Sequence, residues 1–282
     1  MEGVQPIRNS IFMHFRNHLK ATRVARLRVG NFHFKTLTFQ DGGGLVKPFS
    51  VDEVKAAVWD CDSFKSPGAD GVNFGFIKEF WHVLNEDLMR FVSEFHRNGK
   101  LSRGINFTFI ALIPKVDSPQ KLNDFRPISL VGCSYKILAK VLANRLRVVV
   151  GKVVSETQTT FVKDRQIWDG VVVANEVVDE ARKLKKELLL FKVDFEKAYD
   201  LMDWHYLDAV MGKMNVPTMW RKWIKECVSI ATASVLVNSS PTDEFLLERG
   251  LRQGDPLSPF LFLLAAEGLN VMMSEMVSAN FF

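Results

Sequence analysis

Apolar residues recur at helical spacing along most of this chain, and runs with the two-residue period of a strand are few. Ile7 to Leu27 is helical in pattern, and Gly42-Gly-Gly44 followed by Pro48 marks a loop. Ser50 with Glu53 forms a capping-box pattern that opens a helix through about Cys61. Ser66 to Gly71 is a turn, since proline fixes φ and the two glycines tolerate positive φ. Helices are expected over Phe74 to Leu84 and Glu86 to Asn98, the second stopped by Gly99, and a strand over Thr108 to Ile113. Tyr135 to Val150 carries Ile137, Leu138, Val141, Leu142, Leu146 and Val149 on one face, with Lys136, Lys140, Asn144 and Arg147 on the other. Asp169 to Lys186 is a further amphipathic helix whose basic end suits the helix dipole as well as it suits nucleic acid.

Leu188 to Val193 reads as a short buried strand broken by Lys192, with Asp194 where the strand gives way to a turn. Helices follow at Trp204 to Met214 and Pro217 to Ile230. A strand pair at Ala233 to Val237 and Glu244 to Leu247 then precedes a Gly250 loop and a helix from Pro259. Many helices and few strands predict an α+β chain with helices packed on one face of an antiparallel sheet.

Composition narrows the class without naming a chemistry. The 282 residues are 47% hydrophobic and 24% charged, which excludes a disordered chain. A net charge of +5 permits contact with a polyanion. Cys61, Cys133 and Cys227 stand far apart without neighbouring His at ligand spacing, so neither a zinc site nor a disulfide framework is supported. The first residues lack the regions of a signal peptide, and Pro259 to Met273 is shorter than the roughly 20 residues a bilayer span needs. The expectation is an intracellular protein with no membrane segment.

Chemistry enters at Phe191-Lys-Val-Asp-Phe-Glu-Lys-Ala-Tyr-Asp200. A carboxylate at a strand end can hold Mg²⁺, and it can equally cap the helix that follows. Five further strings stand around it in order: Lys65-Ser-Pro-Gly-Ala-Asp-Gly71, Phe109-Ile-Ala-Leu-Ile-Pro-Lys115, Asn123-Asp-Phe-Arg-Pro-Ile-Ser-Leu130, Phe161-Val-Lys-Asp-Arg-Gln-Ile167 and Gly250-Leu-Arg-Gln-Gly-Asp-Pro-Leu-Ser-Pro259. Together these six resemble the fingers and palm motifs of reverse transcriptases of non-LTR, long interspersed element type retrotransposons, most closely the plant ones. The resemblance covers about Pro48 to the C-terminus. It implies a right-hand polymerase fold: a lead-in segment over 1–47, helical and then a glycine-rich loop, a fingers-like region over 48–187 and a partial palm over 188–282, with no thumb.

The resemblance also implies roles. Asp194 would be the catalytic carboxylate and, with the backbone carbonyl of Phe195, a ligand for Mg²⁺ or Mn²⁺ in two-metal nucleotidyl transfer. Tyr199 resembles the aromatic gate that excludes a ribose 2′-OH, although core packing explains a tyrosine equally. Gln253 and Gly254 resemble the residues touching the incoming nucleotide, and Lys163 with Arg165 those that grip its triphosphate. Arg126 would contact template or nucleotide, unless it is held in an ion pair with Asp124 or another acid. The partners implied are an RNA template, a DNA primer and deoxynucleoside triphosphates.

Three departures from the family pattern stand out. No aromatic-X-Asp-Asp motif follows Gln253, where the only carboxylates are Asp255, Glu267 and Glu275. Asp164 stands between Lys163 and Arg165, and Ala69 and Leu201-Met202 replace the usual residues. The expectation is therefore a truncated reverse transcriptase fragment that is catalytically inactive, or alternatively a non-catalytic RNA-binding or scaffolding module.

Overall fold

The computed structural model of the chain describes residues 4–21, 30, 32–188, 197–279 and 281. Asp194, Phe195 and the strand expected before them lie outside the described residues, apart from Leu188. In order, the elements are α1 (Val4–His18), α2 (Phe39–Val46), α3 (Val51–Trp59), α4 (Phe74–Glu79), α5 (Trp81–Asn98), β1 (Phe107–Pro114), β2 (Phe125–Val131), α6 (Cys133–Val153), α7 (Ile167–Leu184), α8 (Trp204–Lys213), α9 (Thr218–Ser229), β3 (Thr232–Val237), β4 (Ser240–Pro241), β5 (Phe245–Leu246) and α10 (Ser258–Ser278). The α+β class holds.

Helix α6 is buried nearly all round and is the mast of the main core. Its Leu138, Leu142 and Leu146 share one core with Val54 and Val58 of α3, Leu207 of α8, Trp220 and Trp223 of α9 and Leu261 of α10. Arg145, also on α6, is buried and was not anticipated. It donates to both carboxylate oxygens of Glu53 at 2.6 and 2.8 Å and to the carbonyls of Leu45, Lys47 and Pro48. The Phe49 ring lies 4.2 Å from its guanidinium carbon. Ser50 caps α3 as expected, but the Glu53 carboxylate that would close a capping box goes to Arg145 instead.

The glycine-rich segment corrects a sequence expectation, because Gly42-Gly-Gly44 is helical rather than a loop. Three glycines disfavour a helix by roughly 1 kcal/mol each relative to alanine. The opposing forces are a reciprocal capping box between Thr38 and Asp41, burial of Leu45, and Arg145, which satisfies carbonyls at the helix end. Gly42 lies close to Pro217, whose Cγ would stand 3.0 Å from a Cβ there.

The sheet is mixed, not antiparallel. Its order is β2-β1-β3-β4, with β5 also on β3. β1 and β2 form an antiparallel pair in which Ala111 faces Ile128. β1 and β3 run parallel, with Thr108 opposite Ala233. Strand β2 carries Pro127 and, among the described strands, sits at the edge, where a missing N–H costs no ladder bond. Ile110, Ala233, Val235 and Phe245 meet Phe15 of α1 and Leu19 just beyond it in a second, smaller core.

Other boundaries shift modestly. The first helix ends at His18, and Phe80 separates α4 from α5. Gly99 ends α5 in the left-handed region at φ 62°, as expected. Helix α10 extends beyond the apolar stretch Pro259 to Met273, running 21 residues, and by length and composition alone it is apolar enough to cross a membrane. Its first half is packed against α6 and α8, and Tyr206 of α8 donates to its Ala265 carbonyl at 3.1 Å.

Candidate functional site

Three stretches distant in sequence are stitched together by backbone hydrogen bonds. The Gly250 N–H donates to the Met202 carbonyl and the Leu251 N–H to the Tyr199 carbonyl, both at 2.8 Å. The Ser129 N–H of β2 donates to the Gln253 carbonyl at 2.7 Å. The Gly250 loop thus bridges the turn at 199–202 and the edge strand. Two glycines make this approach feasible. Gly250, at φ 89°, would place a Cβ 2.8 Å from the Asp200 carbonyl oxygen, and Gly254, at φ 109°, one 2.9 Å from that of Ser129. Only glycine takes such dihedrals and such contacts without strain.

Beneath the loop a closed polar network fixes its shape. Buried Arg252 lies with its guanidinium carbon 4.2 Å from the Tyr135 ring centroid and donates to Asp255 at 2.8 Å, to the Asn106 side-chain oxygen at 2.5 Å and to the Cys227 carbonyl at 3.3 Å. Asp255 accepts in turn from the Tyr135 hydroxyl and the Leu257 N–H. Burial pushes the Cys227 thiol up to about 12 and the Tyr135 phenol well above its ordinary value.

Above the loop opens a cavity of about 260 Å³ lined by Lys115, Arg126, Pro127, Lys197, Tyr199, Asp200 and Gln253, with His14, Phe15 and His18 from α1. The sequence-based expectations for Arg126, Tyr199 and Gln253 therefore fall on one site. Tyr199 is half-buried, its ring edge-on to Phe262 at 5.4 Å, and burial raises its phenol above the usual range. Arg126 is exposed and, among the described residues, makes no ion pair. Asp124 accepts instead from the N–H groups of Gln120 and Lys121, which hold its carboxyl below its ordinary value. Gly254 lies beside Gln253, exposed.

Lys163 and Arg165 are placed elsewhere. Arg165 donates to the carbonyls of Ser155, Gln158 and Gly151, tying its loop to the end of α6. Lys163 and Asp164 are exposed, and neither lines the cavity. Among the described residues, no group of three His, Cys, Asp or Glu side chains could hold a metal ion.

Sequence reasoning missed Lys115 and the whole α1 wall. Lys115 closes the string Phe109 to Lys115 and could have been read with Arg126, because β1 and β2 pair their ends there, Pro114 against Phe125. For α1 no local signal existed. His18 Nε2 stands 3.2 Å from Asp200 Oδ2, and the Arg249 guanidinium and Glu248 N–H hold the helix end through the carbonyls of His18 and Leu19. Burial, followed by the charges of Lys197 and His18, lowers the His14 pKa below its ordinary value.

Residues 113–280 match the family described as reverse transcriptase (RNA-dependent DNA polymerase). A 149 kDa protein of transposon TX1 from Xenopus laevis is 32% identical over 223 residues, which are 79% of this chain and 17% of that protein. The Pol polyprotein of the type-2 retrotransposable element R2DM of Drosophila melanogaster is 25% identical over 204 residues, 72% of this chain and 19% of its own length. A probable RNA-directed DNA polymerase from transposon BS of the same fly is 24% identical over 237 residues, covering 77% and 24%. This chain thus spans between about a sixth and a quarter of the length of these relatives. With a matched region covering more than half of the chain, and with relatives of this kind, the chain belongs to the reverse transcriptase family of non-LTR retrotransposons.

Proposed function

We propose that this chain forms the deoxynucleotide-binding part of an RNA-templated DNA polymerase, with a fingers-like region over 48–187 and part of a palm over 188–282 of a right-hand fold. One observation carries the reading. Arg126, Tyr199 and Gln253 come from motifs more than fifty residues apart in sequence and line one cavity.

Lys115, Arg126 and Lys197 give that cavity a cationic wall, and among the described residues its single lining acid, Asp200, is already engaged by His18. Such a wall suits a triphosphate, for which the planar guanidinium of Arg126 offers paired N–H donors. The Tyr199 ring would stand under the sugar and reject a 2′-OH by contact. Gln253 supplies both donor and acceptor, and the exposed backbone at Gly254 permits close approach. Lys163 and Arg165 would bear on the nucleotide only if their loop moves, since Arg165 is committed to three carbonyls.

The family implies a divalent cation. Asp194, as the catalytic carboxylate, and the Phe195 carbonyl are its proposed ligands, with Mg²⁺ or Mn²⁺ as the ion, which when bound would stabilise charge on the reacting phosphate. RNA template and DNA primer are the partners this reading entails.

Equilibrium binding of fluorescent deoxy- and ribonucleoside triphosphates tests it. The unaltered chain should favour the deoxy form. Tyr199→Ala should narrow that preference by about tenfold. Arg126→Gln should weaken both ligands by roughly ten- to hundredfold, the worth of a hydrogen bond to a charged group. Two variants that bind like the unaltered chain would sink the proposal.

A further inference from the structure

A second basic cleft lies between the end of α5 and the outer face of α9, and it shares no lining residue with the cavity above. It encloses about 640 Å³ and gathers Arg97 and Lys100 from one bank and Lys222 and Lys225 from the other. Glu226 is its one lining acid among the described residues, and that carboxylate is spoken for. It accepts from Lys100 at 2.8 Å and from the Leu101 N–H at 3.1 Å.

Arg97, Lys222 and Lys225 are exposed and form no ion pair among the described residues. The bland account of such charges is helix chemistry, and it explains only some of them. Arg97 stands in the last turn of α5, where a cation suits the dipole. Arg221 on α9 is paired with Asp208, from which it holds a raised pKa. Lys222 and Lys225 sit in the body of α9 with no acid paired to them among the described residues, three residues apart and so about 4.5 Å along the axis. The cleft floor is formed by Trp223, which is buried and lies close against Gly99.

We infer that this cleft is a docking groove for the phosphodiester backbone of a single RNA strand, separate from the nucleotide cavity. Cations on both banks of a cleft of about 640 Å³ fit a row of phosphates better than one phosphate. No strand edge lines the groove, so an acidic peptide would find no backbone ladder to extend. The choice of RNA rests on the reading of the chain as an RNA-templated polymerase piece. Binding here should be independent of sequence and steeply salt-dependent, since each neutralised phosphate releases counterions.

The test is fluorescence anisotropy of the full chain with a labelled 20-nucleotide oligouridine across a salt series. The variant Lys222→Gln/Lys225→Gln changes two exposed side chains, and an unchanged melting curve would establish that it folds. It should weaken oligouridine binding by roughly tenfold and lower the salt slope by about 1.4, two contacts at 0.7 each. Its affinity for a fluorescent deoxynucleoside triphosphate should stay as it was, whereas Arg126→Gln should do the reverse. Oligouridine affinity and slope unchanged in the double variant would overturn the groove and leave the nucleotide reading standing. So would a loss that appears with oligothymidine and not with oligouridine.

Discussion

At the scale of single residues, the site depends on positions where a side chain is forbidden. Gly254 combines φ 109° with a would-be Cβ 2.9 Å from the Ser129 carbonyl oxygen. Gly254→Ala should therefore cost about 1–3 kcal/mol in chemical denaturation, from backbone strain alone. Because the adjoining Gln253 carbonyl is the partner of the Ser129 N–H, the same change should also loosen nucleotide binding. Stability loss with intact binding would show that the loop does not set the position of Gln253. The glycine, Gln253 and Tyr199 were legible in the sequence because each sits in a string with a family pattern. Arg145, whose five hydrogen bonds organise α2 and α3, was not. An arginine between apolar residues of a helix reads as solvated until Glu53 and three carbonyls, about a hundred residues away, are placed around it.

At the scale of elements, the helices from α3 to α6 and from α8 to α10 follow from periodicity, since each buries a face at regular spacing. The failures have physical causes. Helix α2 defied its glycines because capping and burial outweigh propensity in a helix of only eight residues. That dependence gives a pH prediction. Hydrogen bonds from Lys152 and then Thr38 hold the Asp41 carboxyl below its ordinary value. Its folded pKa is thus lower than its unfolded value of about 3.9. The stability it contributes is fully present above that value and is lost as pH falls through the folded pKa. Amide hydrogen exchange in α2 should quicken as pH drops below about 4, beyond the intrinsic trend. In Asp41→Asn this extra acceleration should vanish, and its persistence there would assign the acid response to another group. Helix α7 illustrates the converse. Its amphipathic pattern was legible, yet Trp168, Val172 and Val177 remain exposed, so pattern established the helix without saying what it packs against.

At the scale of the whole molecule, the mixed character of the sheet was invisible to local reading, because parallel pairing of β1 with β3 joins segments over a hundred residues apart. The same holds for α1, which crosses the length of the chain to wall a cavity built from motifs at 115–127, 197–200 and 253. Phe15 anchors it in the smaller core, at 5% exposure. Phe15→Ala should cost about 3–5 kcal/mol and, by releasing His18 from Asp200, alter nucleotide affinity as well. A variant that melts lower yet binds nucleotide normally would mean that α1 contributes only packing. The parallel β1–β3 pairing has a further consequence for synthesis on the ribosome. β1 and β2 emerge as a complete hairpin, but the partner for the other edge of β1 has not yet been translated. At roughly 5–20 residues per second, that edge waits on the order of ten seconds with its N–H and C=O groups unpaired. During that interval the nascent chain offers a strand template to any neighbour, so yield of soluble protein should depend on translation speed and on chaperones more than the finished fold would suggest.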